Sequence, residues 1–143
     1  MKKNRVSQYQ LLVGVEGIKV GYGLALQQQK LDVICLSDQY EKVVGTFLDT
    51  VVAPRLYGTS ITLRELLPSI PGNISSEKKD TATNKRRFLD STTAVQTDCL
   101  VGEDLVVLVS FTVAVPTAIV ISDAELVKSF QVYFDELWQK AKE

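Results

Sequence analysis

At 143 residues the chain has the length of one domain, enough to bury a continuous core without disulfides or a structural metal. Hydrophobic residues make up 45% and charged residues 23%, no apolar run approaches a membrane span, and 16 Lys and Arg against 17 Asp and Glu give no field that attracts nucleic acid. Histidine is absent, which removes Ser-His-Asp and Cys-His nucleophile pairs and the commonest neutral metal ligand, while lysine, carboxylate and tyrosine acid–base chemistry survives.

The basic start Met1-Lys2-Lys3-Asn4-Arg5 is not followed by an apolar signal segment, so a cytoplasmic location is expected. Tyr9–Val13 predicts a short buried strand. Gly14-Val15-Glu16-Gly17 breaks it before a helix with Ile18, Tyr22, Ala25 and Gln29 at helical spacing. Leu31–Leu36 predicts a second strand. Ser37-Asp38 then supplies N-cap residues for a helix presenting Tyr40, Val43, Val44, Phe47, Leu48 and Val51, which Pro54 ends or bends. Ile61–Leu67 reads as a third strand, with Leu63 and Glu65 on one side and Arg64 and Leu66 on the other, closed by Pro68.

From Ser69 to Lys85 the composition becomes that of a long exposed loop. Short strands follow at Arg86–Leu89 and Ala94–Val101, the latter joined through the turn Gly102-Glu103-Asp104 to Leu105–Phe111. Thr117–Ile121 is the last strand. Ser122-Asp123-Ala124-Glu125 has capping-box spacing and opens a closing helix with Leu126, Phe130, Phe134, Leu137, Trp138 and Ala141 on one stripe. No repeat or heptad run is present. The order predicts a single α/β domain, a mixed β-sheet flanked by helices with a long C-terminal helix.

The chemistry-bearing candidates are sparse. Gly14-x-x-Gly17 could aim backbone N–H groups at an anion, but Glu16 lies in the turn and a tight turn explains both glycines. Lys78-Lys79 and Lys85-Arg86-Arg87 could grip an anion; Glu77, Asp80 and Asp90 dilute them and no aromatic residues interleave to stack bases. Arg64-Glu65, with Arg55 and Tyr57 nearby, serves equally as a pocket wall or a structural ion pair. Asp98, Glu103 and Asp104 are acidic, but two of them belong to one turn, which turn chemistry explains better than a metal site. Cys35 and Cys99, in apolar strand-like stretches, suit buried thiols. Neither a metal nor a cofactor is indicated.

Val13-Gly14-Val15-Glu16-Gly17-Ile18, Gly102-Glu103-Asp104 before Leu105-Val106-Val107-Leu108-Val109-Ser110, Ala118-Ile119-Val120-Ile121 and the closing Phe130-x3-Phe134-x2-Leu137-Trp138 together resemble the effector domain of TrmB-type transcriptional regulators. The resemblance runs from about Tyr9 to Ala141 in short apolar motifs, and it implies a phospholipase-D-like α/β fold. It also implies a non-catalytic sensor or interaction domain. TrmB-type regulators carry a winged helix-turn-helix ahead of this domain, whereas here eight residues precede the first strand, so direct DNA binding in the same chain is not expected. Catalytic relatives use a His-x-Lys-x4-Asp motif before a Gly-Ser pair. Aligning that Ser with Ser110 puts Val95, Thr97 and Gly102 in the motif positions, and a register on Asp104 puts Thr97 and Cys99 there. Either way the histidine and lysine are missing.

The expected function is ligand sensing without catalysis, or protein interaction beside a separate DNA-binding protein. The expected effector is a sugar, a sugar phosphate or another anion, at strand ends near Ser37, Tyr40, Arg64 and Arg87, where hydroxyls and planar guanidinium donors are available. A homodimer is expected; Val127 and Tyr133, off the apolar stripe of the closing helix, either face another chain or cover neighbouring loops within the monomer.

Overall fold

The computed structural model describes residues 8–74 and 80–143. Seven strands form one mixed sheet in the order β1-β7-β6-β5-β2-β3-β4. These are β1 Tyr9–Val13, β2 Lys30–Cys35, β3 Thr62–Pro68, β4 Asn84–Leu89, β5 Thr97–Val101, β6 Val106–Ser110 and β7 Thr117–Ile121. Strands β2, β3 and β4 run parallel, and β1, β7, β6 and β5 add an antiparallel half that joins at β2.

Period-2 patterning divides the side chains between two covered faces. On one face α1 (Gly14–Ala25) lies over β6 and β7, while α2 (Glu41–Val44), a π-turn (Leu48–Val52) and α3 (Ala53–Leu56) lie toward β2 and β3. Ile18, Tyr22, Leu31, Val33, Leu63, Leu100, Val107 and Val109 are buried there in the main core. On the other face α5 (Ala124–Lys140) crosses the sheet. It buries Val127 against Val101, Val106 and Ile121, and Phe134 and Trp138 against Leu66.

Several sequence expectations are corrected by this arrangement. β1 has the expected bounds but is an edge strand with Tyr9, Leu11 and Val13 exposed, because among the described strands β7 alone pairs with it. The helix expected after Ser37-Asp38 is broken into α2, the π-turn and α3. Gly45, at φ 58°, leaves helical space after α2, and Ser37 does not cap, since Tyr40 is the N-cap residue. Pro54 sits in the first turn of α3, where its missing N–H costs nothing, and so starts that turn where an ending was expected. In α5 the capping oxygen belongs to Asp123, which accepts from Leu126 N–H at 3.0 Å; Ser122 binds the carbonyl of Gln8.

The buried stripe of α5 is also rotated from the expected one. Val127 is buried and Leu126 and Leu137 are more than a third exposed, so Val127 is core and Tyr133 alone of the proposed pair faces outward. The loop after β3 contains a short helix, α4 (Pro71–Ile74), and gives way to β4 two residues before Arg86. Glu77, Lys78 and Lys79 lie outside the described residues. Among the described residues no helix is long and apolar enough to cross a membrane.

The turn into α1 resolves the glycine motif. Gly14 N–H is bonded to the carbonyl of Pro116, and a Cβ on Gly17 would lie 2.4 Å from the backbone carbon of Leu12. Gly17 is therefore required by the close approach of helix to strand.

Candidate functional site

A cavity of about 130 Å³ lies between the sheet and the broken helical segment. Its floor comes from β2, β3 and β5, through Val33, Cys35, Glu65, Asp98 and Leu100, and Tyr22 of α1 closes one side. Its roof is the π-turn and α3, through Leu48, Val52, Ala53 and Leu56. The walls are mainly aliphatic, and polar atoms enter in three tyrosine–carboxylate pairs. Tyr22 OH donates to Asp98 at 2.7 Å, Tyr57 OH to Glu65 at 2.6 Å and Tyr40 OH to Asp49 at 3.2 Å.

Asp98 is buried, at the same 5% exposure as Glu65. Its other oxygen accepts from the Ser37 hydroxyl at 2.8 Å. Burial raises its pKa from the usual aspartate value, against the opposing effect of the hydroxyls of Tyr22 and Ser37 and the thiol of Cys35. Burial, reinforced by the Asp98 charge, pushes both the Tyr22 phenol and the Cys35 thiol well above their ordinary values, so neither supplies an anionic nucleophile near neutral pH. The Tyr40 phenol is raised to about 12, first by burial and then by Asp49.

Glu65 differs from Asp98 in having a cation. Arg86 of β4 reaches its Oε1 at 3.4 Å while Tyr57 holds Oε2. Tyr57 and Glu65 also border a second cavity of about 210 Å³ at the β4 edge, with Asp80, Asn84, Lys85 and Arg86. The side-chain oxygen of Asn84 is buried there without a hydrogen-bond partner among the described residues.

The four residues expected to share a ligand do not share a face. Tyr40 lines the tyrosine–carboxylate cavity and Ser37 bonds its Asp98, whereas Arg64 and Arg87 project to the α5 side, because alternate residues of a strand point oppositely. Arg64 makes a two-pronged pair with buried Asp32 at 2.8 and 2.9 Å and reaches Asp135 at 2.8 Å, lying over the rings of Phe134 and Trp138. Arg64 in turn holds the Asp135 carboxyl below its ordinary value. Arg87 lies 4.5 Å from the Trp138 ring centre, donates to the Trp138 carbonyl at 2.8 Å and pairs with Glu143 at 3.6 Å. Both guanidinium groups are engaged in fastening α5 to the sheet.

Sequence reasoning missed Tyr22, Cys35 and Asp98 as parts of one site. Tyr22 looks like core in a helical stripe, and Asp98 had been grouped with Glu103 and Asp104, whose turn lies at the far end of β5. The available signal was a single carboxylate inside an otherwise apolar strand. Among the described residues no three His, Cys, Asp or Glu side chains converge as metal ligands.

Thr97 and Ser110, two of the positions aligned above with the motif of catalytic relatives, are cross-strand partners at the β5–β6 end, in a groove with Cys99, Leu108, Thr117 and Ile119. The other motif positions, Gly102 and Asp104, are in the turn at the opposite end of that hairpin.

The mixed sheet order, with an antiparallel four-strand half joined at β2 and a long helix across one face, decides the comparison with solved structures. The fold is phospholipase-D-like. NucT from Helicobacter pylori aligns with a TM-score of 0.62 at 10% identity, covering 94% of this chain and 97% of that one. Nuc from Salmonella typhimurium, a phospholipase D family member, aligns at 0.57 with 9% identity and the same coverages. TrmBL2, described as an archaeal chromatin protein with a novel mode of DNA binding, aligns at 0.59 with 18% identity over 99% of this chain. The chain spans 56% of TrmBL2. No family model matches the sequence, and no curated protein matches it by sequence.

Proposed function

We propose that the chain is a non-catalytic sensor domain, of the kind its sequence resembles in TrmB-type regulators, whose ligand enters the tyrosine–carboxylate cavity. One observation carries this reading: the cavity is roofed by an interrupted helical segment, the π-turn and α3 behind Gly45. A ligand contacting both floor and roof changes the relative stability of roof positions, which is what a sensor requires. The non-catalytic part is supported by the residues at the motif positions, where Val95, Thr97, Cys99 and Gly102 offer neither the histidine nor the lysine of that chemistry.

The test is carbon-detected methyl NMR with thermal denaturation against small-molecule panels, including sugars, sugar phosphates and amines. A sensing role is supported by a ligand that raises the melting temperature and shifts methyl resonances of Val33, Val52, Leu56 and Leu100 together. Flat melting curves and unshifted methyls across the panel would overturn it.

A second reading, interaction with another chain, is favoured by the apolar surface beside α5. Tyr9, Leu11 and Val13 of β1 are more than half exposed, Ile119 of β7 is 39% exposed on the same sheet face, and Tyr133 projects from the helix. Such a surface suits a two-fold copy or a separate DNA-binding protein. Sedimentation equilibrium separates these: a mass that stays near 15.8 kDa at micromolar concentration rejects the homodimer.

A further inference from the structure

The donors facing the cavity are already spent. Tyr22, Tyr40 and Tyr57 each direct a hydroxyl proton to a wall carboxylate, and the Ser37 hydroxyl likewise donates to Asp98. A phenol has one proton to give, so the remaining polar capacity of these groups consists of oxygen lone pairs. A molecule entering the cavity must therefore supply donors.

Charge narrows the choice further. Of the three carboxylates lining the cavity, Glu65 is offset by Arg86. Among the described residues Asp49 and Asp98 have no Lys or Arg nitrogen within 4 Å, and Asp98 is buried. A buried carboxylate without a cation is held at a cost that a bound positive charge removes. The aliphatic floor and roof, from Val33, Leu48, Val52, Leu56 and Leu100, provide for a short apolar body. A cavity of roughly 150 Å³ accommodates a benzene ring, so this one suits a body of about four to six carbons.

We propose that the cavity binds a small organic ammonium ion, its N–H donors directed to Asp98 and the tyrosine oxygens and its hydrocarbon part packed beneath the π-turn and α3. This deepens the sensor reading and rests on it, while reversing the sign of the effector charge expected from sequence. An anion would meet two uncompensated carboxylates and acceptor oxygens.

The experiment compares n-butylammonium, n-butanol and butyrate on the full chain by calorimetry and methyl NMR at neutral pH. Butylammonium is expected to bind at least tenfold more tightly than butanol, with shifts at Val33, Val52 and Leu56, and butyrate to leave those methyls unmoved. Asp98→Asn is expected to weaken butylammonium binding by tenfold or more and leave butanol binding unchanged; thermal melting establishes that this variant folds. Asp49→Asn, at the exposed rim, gives a second variant less exposed to misfolding, with an expected loss of about threefold.

Equal binding of butanol or butyrate, or unaltered butylammonium affinity in both variants, overturns the ammonium proposal while the cavity remains a ligand site. Failure of all three probes to shift the cavity methyls overturns this proposal as well, and the wider panel above then decides the sensor reading independently.

Discussion

The two faces of the sheet use the same kinds of polar residue to opposite effect. On the α5 face, carboxylates meet arginines: Asp32 and Asp135 surround Arg64, and the guanidinium groups lie against Phe134 and Trp138. On the α1 face, carboxylates meet tyrosines: Tyr22 with Asp98, Tyr40 with Asp49 and Tyr57 with Glu65. The first arrangement gives each carboxylate a cation and fixes a 17-residue helix. The second satisfies hydrogen bonds but leaves negative charge beside a cavity, under a roof of short helical pieces. A phenol can order a carboxylate without neutralising it, and that difference separates a fastening from a receptive site.

The largest expected effect comes from breaking the fastened face. Arg64→Ala leaves the Asp32 carboxylate, which has no exposed surface, with Gln131 as its remaining side-chain donor, and should cost about 3–5 kcal/mol of unfolding free energy in urea titration. A loss below about 1 kcal/mol would show that the arginine stack is not what holds α5. Tyr22→Phe makes the matching cut on the cavity face. It removes one donor from buried Asp98 while preserving the ring, and an expected loss of about 1–3 kcal/mol is checked by the same titration.

A smaller effect distinguishes the faces by pH. Asp98 has a raised pKa in the folded state, so folding takes up protons there, and its contribution to stability declines as pH rises from the ordinary aspartate value toward neutrality. Asp135 has the opposite shift, and its favourable contribution is lost as pH falls below that ordinary value. The melting temperature of Asp98→Asn relative to the unaltered chain should thus be more favourable at neutral pH than near pH 4, by a few degrees at most. A difference independent of pH would mean that Asp98 is not held under desolvation. Least costly to the fold is Tyr133→Asp: with the side chain exposed, stability should change by no more than about 0.5 kcal/mol, while any concentration-dependent mass in sedimentation is reduced.

Much of the fold was legible because β-strand and helix periods are written in local apolar spacing. β7 and β1 have their expected bounds, and the opposite orientations of Arg64 and Glu65 follow from period-2 alternation. What spacing could not show was the neighbour across the sheet. Asp98 lies next to Cys35 only because β5 inserts beside β2, a non-local pairing, so the cavity could not be assembled from residues close in sequence. The same limitation left Val127 open between a partner chain and the monomer's own core, since its burial depends on how α5 is rotated over Val101, Val106 and Ile121. The segment after Ser37 went wrong for a different reason: its helical stripe is present, but Gly45 breaks the backbone that would have carried it.

The pairing of β1 with β7 also imposes an order of assembly. Tyr9 faces Ile121, so among the described residues the earliest strand of this sheet has its sheet partner in the latest. On a ribosome, β2 and β3 can meet long before β7 exists, while β1, with Leu11 and Val13 uncovered, must wait. The antiparallel half is therefore closed by its earliest strand only once β7 has been made, and the interval before closure is when this chain is most open to pairing with the wrong edge.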